Sequence, residues 1–178
     1  MNYKIRRAEA SDVSILNALV NSAYRGESSK KGWTTEADLI GGQRVDDARL
    51  IELLSKPRSY ILCLLEETGS ICGCVSLEAF EDETGPGCYL GMLTVRPTLQ
   101  TDGLGKKLML EAENFARELG ATRMTLGVIQ IRTELMAWYE RRGYRKNGEI
   151  KPFPYGDDRF GEPKRADLHF VMFEKALV

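Results

Sequence analysis

One histidine, His169, is all that this chain of 178 residues carries. With four cysteines as the only other soft ligands, a zinc site is poorly supplied and no metal is expected. Long hydrophobic runs are missing too. No uninterrupted apolar stretch approaches the ~20 residues that cross a bilayer, so no membrane partner is expected. The opening residues, MNYKIRRAEASD, hold no apolar segment of the kind that leads a secretory signal. Charge of one sign is not in surplus: 25 Lys and Arg stand against 26 Asp and Glu, a net charge of -1, and no nucleic-acid surface is expected. The cysteines Cys63, Cys72, Cys74 and Cys88 all lie in or beside apolar runs. They read as buried, reduced thiols, with Cys72 and Cys74 on one face of a strand, and point to the cytoplasm. Repeats, linkers and low-complexity segments are absent as well. The length suits one domain, residues 1–178, with a sizeable core.

What is present is an alternation of strand-like and helix-like segments. YKIRRA (Tyr3 to Ala8) reads as a first strand, and Ser11 or Asp12 can cap a helix that buries Val13, Leu16, Val20 and Ala23. Tyr24 to Gly42 is polar and reads as a loop with one short helical turn near Thr35. A helix from Asp46 to Leu54 stops before Pro57. Three strands follow, Ser59 to Glu66, Ser70 to Phe80 and Cys88 to Val95, with EDETGPG as a loop between the last two. Leu108, Ala112, Phe115 and Leu119 then repeat at helical spacing from Leu104, and Gly120 marks the stop. A strand at Thr122 to Ile129, a helix capped by Thr133, a strand at GYRKNGEI, a Pro/Gly-rich loop and a final strand in DLHFVMFEK complete the order. The fold class is mixed α/β.

The segment VRPTLQTDGLGKKLM places Gln100, Gly103 and Gly105 where a strand hands over to the longest helix. A helix entry leaves its first amides unpaired and carries partial positive charge, which suits an anion such as phosphate. Glycines there let backbone approach a ligand closely, and Lys106 and Lys107 add positive charge. A Walker A loop does not fit, since Gln100 and Lys107 stand at two of its fixed positions. A dinucleotide G-x-G-x-x-G fails at Leu108.

Strand, R-P, Q-x-x-G-x-G, amphipathic helix, strand, and a helix bearing Y-x-x-x-G-Y occur here as MLTVRPTLQTDGLGKKLM and WYERRGY. In order and spacing they resemble the GNAT-type N-acetyltransferases over nearly the whole chain. That resemblance implies a central, splayed, mostly antiparallel sheet of six to seven strands flanked by helices. It implies acetyl-CoA as co-substrate, its pyrophosphate held by main-chain amides from Gln100, Thr101, Asp102, Gly103, Leu104, Gly105 and Lys106. Pantetheine would lie along Leu93, Thr94 and Val95 like an added strand.

Acetyl transfer needs a neutral amine, a donor for the carbonyl oxygen and a proton for the leaving thiolate. The resemblance assigns the last role to Tyr139; the alternative is that Trp138 and Tyr139 only pack. Tyr89 stands where some members carry a glutamate base, which leaves Glu78 acting through water, or as a solvent-facing strand-end charge. Arg132 replaces a common asparagine and is open to a phosphate, substrate or surface role. The acceptor is expected between Tyr24, Arg25 and Trp33 on one side and Tyr155, Asp157, Asp158 and Arg159 on the other. Aspartates and aromatics suit a cationic amine, the arginines a carboxylate-bearing amino acid, and YGDD also reads as a solvated turn. The reading is an N-acetyltransferase for a small amine or amino acid, monomeric or homodimeric. A protein N-terminus or lysine as acceptor, a non-catalytic CoA sensor and a nucleotide-binding enzyme are the alternatives.

Overall fold

The computed structural model describes residues 2–178. Strand β1 (Lys4–Arg7) leads to helix α1 (Val13–Tyr24), the single turn α2 (Gly26–Ser29), a two-residue strand β2 (Ile40–Gly41) and helix α3 (Asp47–Ser55). A meander follows: β3 (Ser59–Leu65), β4 (Ile71–Asp82) and β5 (Gly85–Val95). Helix α4 (Leu104–Glu118), β6 (Arg123–Ile129), α5 (Thr133–Glu140), β7 (Arg145–Pro152), β8 (Glu162–Pro163) and β9 (His169–Ala176) complete the chain. Seven strands form one sheet in the order β1-β3-β4-β5-β6-β9-β7, while β2 and β8 pair as a separate ribbon. Among the described residues only the β5–β6 pairing in the large sheet is parallel. The expected mixed fold and its strand number are both found.

Both faces of the sheet are covered. On one side α4 buries Leu104, Leu108, Met109, Ala112 and Ala116 against Leu62, Leu64, Leu77, Leu90 and Phe173. On the other, Leu16 and Val20 of α1 and Leu50 and Leu53 of α3 meet Ile61 and Cys63. Strand β3 therefore reads as a continuous apolar run because its alternate residues serve different cores. Each fully buried Leu contributes about 2 kcal/mol of transfer free energy.

Two bulges interrupt the alternation. Leu65 pairs with Ile71 and Leu64 with Gly73, so β4 holds an extra residue at Cys72. This overturns the expectation that Cys72 and Cys74 share a face: Cys72 packs with the α4 core and Cys74 with the α1 core. The second bulge lies in β5, where Cys74 pairs with Thr94 and Ser76 with Gly91, leaving Met92 and Leu93 facing a single residue. Met92 takes φ 49° to accommodate it, a strained backbone for a side chain of that size.

Some boundaries differ from expectation. The Glu81–Gly87 loop shrinks to a tight hairpin, because Asp82 pairs with Gly85 and its carboxylate accepts from Thr84 N at 2.8 Å. Thr133 is the first residue of α5, and Arg132 takes the cap position. The polar segment after Tyr24 contains the turn near Thr35, with Ile40 N donating to Glu36 O at 2.9 Å, and also α2 and β2. Among the described residues no helix is long and apolar enough to cross a membrane, and no cluster of His, Cys, Asp and Glu could hold a metal ion. All four cysteines are buried and free.

Candidate active site

The parallel pairing of β5 with β6 ends at Tyr89 and Thr125. Beyond it the strands part, and two cavities open along the split.

The first, of about 100 Å³, lies at the start of α4. Gly103 is the N-cap residue with φ 73° and no side-chain cap, so the first amides of α4 have no side-chain acceptor. A Cβ at Gly103 would meet nothing within 4 Å; the backbone there borders open space. The wall includes Leu93, Thr94, Val95, Gln100, Gly103, Gly105 and Lys106. These were expected from the sequence; Thr101 and Asp102 stand exposed on the turn, and Leu104 turns its side chain into the core. Lys106 faces the cavity, whereas Lys107, one helical step away, donates from Nζ to Tyr3 O at 3.3 Å. Gln100 ties the turn to its surroundings. Its Nε2 donates to Val95 O at 3.2 Å and its Oε1 accepts from Trp33 N at 3.1 Å. Unpaired amides, a Cβ-free entry and one lysine fit a diphosphate.

Between the cavities stand Tyr24, Leu93, Arg132, Leu135 and Tyr139, which line both. Tyr24 donates its hydroxyl to Leu93 O at 3.0 Å, fixing the bulged residue. Tyr139 projects from α5, wedged edge-on against Trp138 and Tyr144 at 5.1 and 5.8 Å between ring centroids. Among the described residues its hydroxyl has no hydrogen-bond partner. Burial pushes its phenol far above the ordinary value of 10.0, so it is a neutral, protonated hydroxyl at neutral pH. Trp33 stacks on Trp138 at 6.3 Å and lines the first cavity alone, whereas the sequence reading put it on the acceptor side.

The second cavity, of about 320 Å³, opens between Tyr89–Leu93 and Leu126–Ile129. A buried ion cluster forms part of its wall. Glu36 Oε2 accepts from Arg25 Nη1 at 2.6 Å and Glu36 Oε1 from Arg132 Nη1 at 2.9 Å. Arg132 Nη2 also donates to Thr34 Oγ1 at 2.7 Å. Burial works against the Glu36 carboxylate, but Arg132, Arg25 and Arg44 outweigh it and hold its pKa below the ordinary 4.5. Arg132 is thus buried, not a surface residue. Glu36 and Arg44 escaped the sequence reading: both sit in an irregular segment with no periodicity, and Glu36 has its partner 96 residues away.

Of the residues expected to do catalysis or meet the acceptor, Glu78, Tyr155, Asp157, Asp158 and Arg159 lie outside both walls. Tyr155 spends its hydroxyl on Arg165 O at 2.7 Å and Leu168 N at 2.9 Å. Asp157 accepts from Arg159 N at 3.1 Å and is clamped by the Arg159 guanidinium, so YGDD is a locally satisfied turn. Glu78 is ion-paired to Lys56 at the strand end.

Known proteins share this chain's sequence pattern and its fold. The model of the acetyltransferase (GNAT) family matches residues 15–144. An uncharacterized N-acetyltransferase of Bacillus subtilis, YhfO, is 28% identical over 145 residues, 80% of this chain and 90% of that one. An amino-acid acetyltransferase of Neisseria meningitidis is 27% identical over 65% of this chain but only 24% of its own length. Among solved structures, yncA of Salmonella typhimurium, determined with its cofactor acetyl-CoA, superposes with a TM-score of 0.68 at 20% identity, covering 100% of this chain and 95% of that one.

Proposed function

Since this chain belongs to the GNAT acetyltransferase family and is an acetyl-CoA-dependent N-acyltransferase, we propose that it acetylates the primary amine of a small molecule or amino acid by direct attack within a ternary complex, with residues 1–178 acting as one domain. The observation that carries this reading is the meeting of two cavities at Tyr24, Leu93 and Tyr139. One cavity has the donor set for a diphosphate, and the other, of about 320 Å³, is small enough for a metabolite-sized acceptor.

Acetyl-CoA, when bound, supplies the thioester. The amides at the start of α4 and Lys106 would hold its diphosphate, and the backbone of Leu93 to Val95, paired with β4 on one side but left without a partner on the β6 side by the split, would pair with the pantetheine arm. The β5 bulge releases Met92 and Leu93 from one-to-one pairing, so a backbone N–H there is the donor for charge developing on a carbonyl oxygen. Tyr139 gives its phenolic proton to the thiolate leaving group. Glu36 is a poor base, because two guanidinium groups stabilise its ionised form. Glu78 lies across the β4–β5 ladder from Tyr89 and reaches the amine only through water. The cations of the second cavity assist in another way: a positive wall favours the neutral amine over the ammonium.

Tyr139→Phe tests the assignment. It should lower kcat for thiol release by about a hundredfold and leave the Kd for acetyl-CoA within about twofold. Unchanged turnover removes Tyr139 from the mechanism.

A further inference from the structure

The second cavity is short of anions. Arg25, Arg44, Arg132 and Lys151 stand in its wall, with Glu36 as the only carboxylate there among the described residues. Lys151 is at the rim, beside Glu149 at 3.7 Å, but the three arginines lie deeper. Arg25 is 5% exposed and Arg132 7%, and the Nε of each is buried with no hydrogen-bond partner. Glu36 is shared by two buried guanidinium groups, and Glu134, half exposed outside the cavity wall, reaches Arg132 Nε only at 3.8 Å, so with Arg44 and Lys151 the wall keeps a positive remainder in a medium that tolerates it poorly.

Arg44 adds to that remainder. Its guanidinium lies over the Tyr24 ring at 5.3 Å, and among the described residues it has no hydrogen-bond acceptor and no ion pair. Its backbone is fixed, since Arg44 N donates to Asn21 Oδ1 at 2.6 Å. The residue is therefore held in place with its donors unspent. The far wall is apolar, built from Phe153, Phe160, Phe170 and Met172.

We propose, resting on the acetyltransferase reading above, that the acceptor is an amine that also carries a carboxylate and an apolar body, the simplest being an α-amino acid with an apolar side chain. Its carboxylate takes the donors of Arg44, flanked by Arg25 and Arg132. Its side chain lies on the phenylalanine wall, and its amine faces Tyr139 and Leu93, where the cavities join. The arrangement also explains how a zwitterion is activated: the carboxylate is matched by the arginines, and the ammonium, surrounded by cations, loses its proton to solvent water at the cavity mouth before attack.

The experiment compares L-leucine, leucine methyl ester and 3-methylbutan-1-amine, which share a body and an amine and differ in the carboxylate, with L-phenylalanine and L-methionine as further acids. Two readouts are taken: acetyl transfer, and calorimetric binding to the protein saturated with CoA. At least one of the acids should bind and be acetylated, with kcat/KM about tenfold to a hundredfold above its carboxylate-free counterparts. Arg44→Gln should raise the KM and Kd of that acid by a similar factor without altering the Kd for CoA, and Arg44→Lys should recover part of the loss. Equal use of amine, ester and acid would overturn the proposal. So would an acid KM indifferent to Arg44→Gln, or the failure of all three acids to bind a protein that does bind CoA. A protein that binds no CoA would instead overturn the acetyltransferase reading itself, and this inference with it.

Discussion

Glu36 is the side chain whose loss the fold should feel most. It holds Arg25 and Arg132 together from a loop, and Glu36→Ala would leave two buried cations facing each other. A loss of about 3 kcal/mol is expected in urea unfolding; a change below about 1 kcal/mol would mean water solvates the cluster. The same residue sets a pH dependence. Its folded pKa lies below 4.5, with burial opposed and outweighed by the arginines, so the native state binds fewer protons than the unfolded chain. Its stabilisation is complete above the unfolded value and drains away as pH falls through the folded one. Below the ordinary pKa of 4.5, Glu36→Gln should show a shallower fall of stability with acid than the unaltered protein, and equal slopes would contradict this. Tyr139 was legible in the sequence because its motif is local, whereas the Glu36–Arg132 pair was not. Chain periodicity reports which face of a helix or strand is buried, and says nothing about a charge in an irregular loop meeting another 96 residues on. Asp157 and Tyr155 lie outside both cavity walls. Their composition suits recognition, but partners within thirteen residues already satisfy them.

Helix α4 separates stability from ligand binding at two glycines. Gly105 sits inside the helix, and an alanine Cβ there would approach Trp138 Cζ2 at an ordinary 3.5 Å. Gly105→Ala should therefore raise stability by about 0.5 kcal/mol through helix propensity while narrowing the first cavity and weakening CoA binding. Gly103→Ala should cost about 1 kcal/mol, since alanine resists its φ of 73°. Paired thermal-melt and CoA-titration measurements check both signs; tighter CoA binding in Gly105→Ala would place the ligand elsewhere. The start and stop of α4 were readable because capping and glycine signals are strong. The bulges in β4 and β5 were not. An extra residue in a strand leaves no break in an apolar run that is buried on both faces, so Cys72 and Cys74 could not be assigned to opposite cores without the pairing register.

Across the whole molecule, function follows from a sheet that fails to stay paired. Strands β5 and β6 begin together and part after Tyr89, and each cavity takes residues from the lips of that split. Sequence order and motif spacing made this architecture legible; the sorting of side chains between the two cavities needed the fold. Among the described residues no cysteine or histidine lines either cavity. Burial pushes the thiols of Cys63, Cys74 and Cys88 up to about 12, so no acyl-enzyme is expected. Initial-rate measurements with both substrates varied should give intersecting double-reciprocal lines, and parallel lines would contradict direct transfer. The most direct test of the joined-cavity account is a crystal structure with CoA bound. The account predicts the diphosphate on the amides of Gly103 to Lys106, the arm along Leu93 to Val95 and the sulfur beside the Tyr139 hydroxyl. A diphosphate bound away from the start of α4, or a sulfur far from Tyr139, would contradict it.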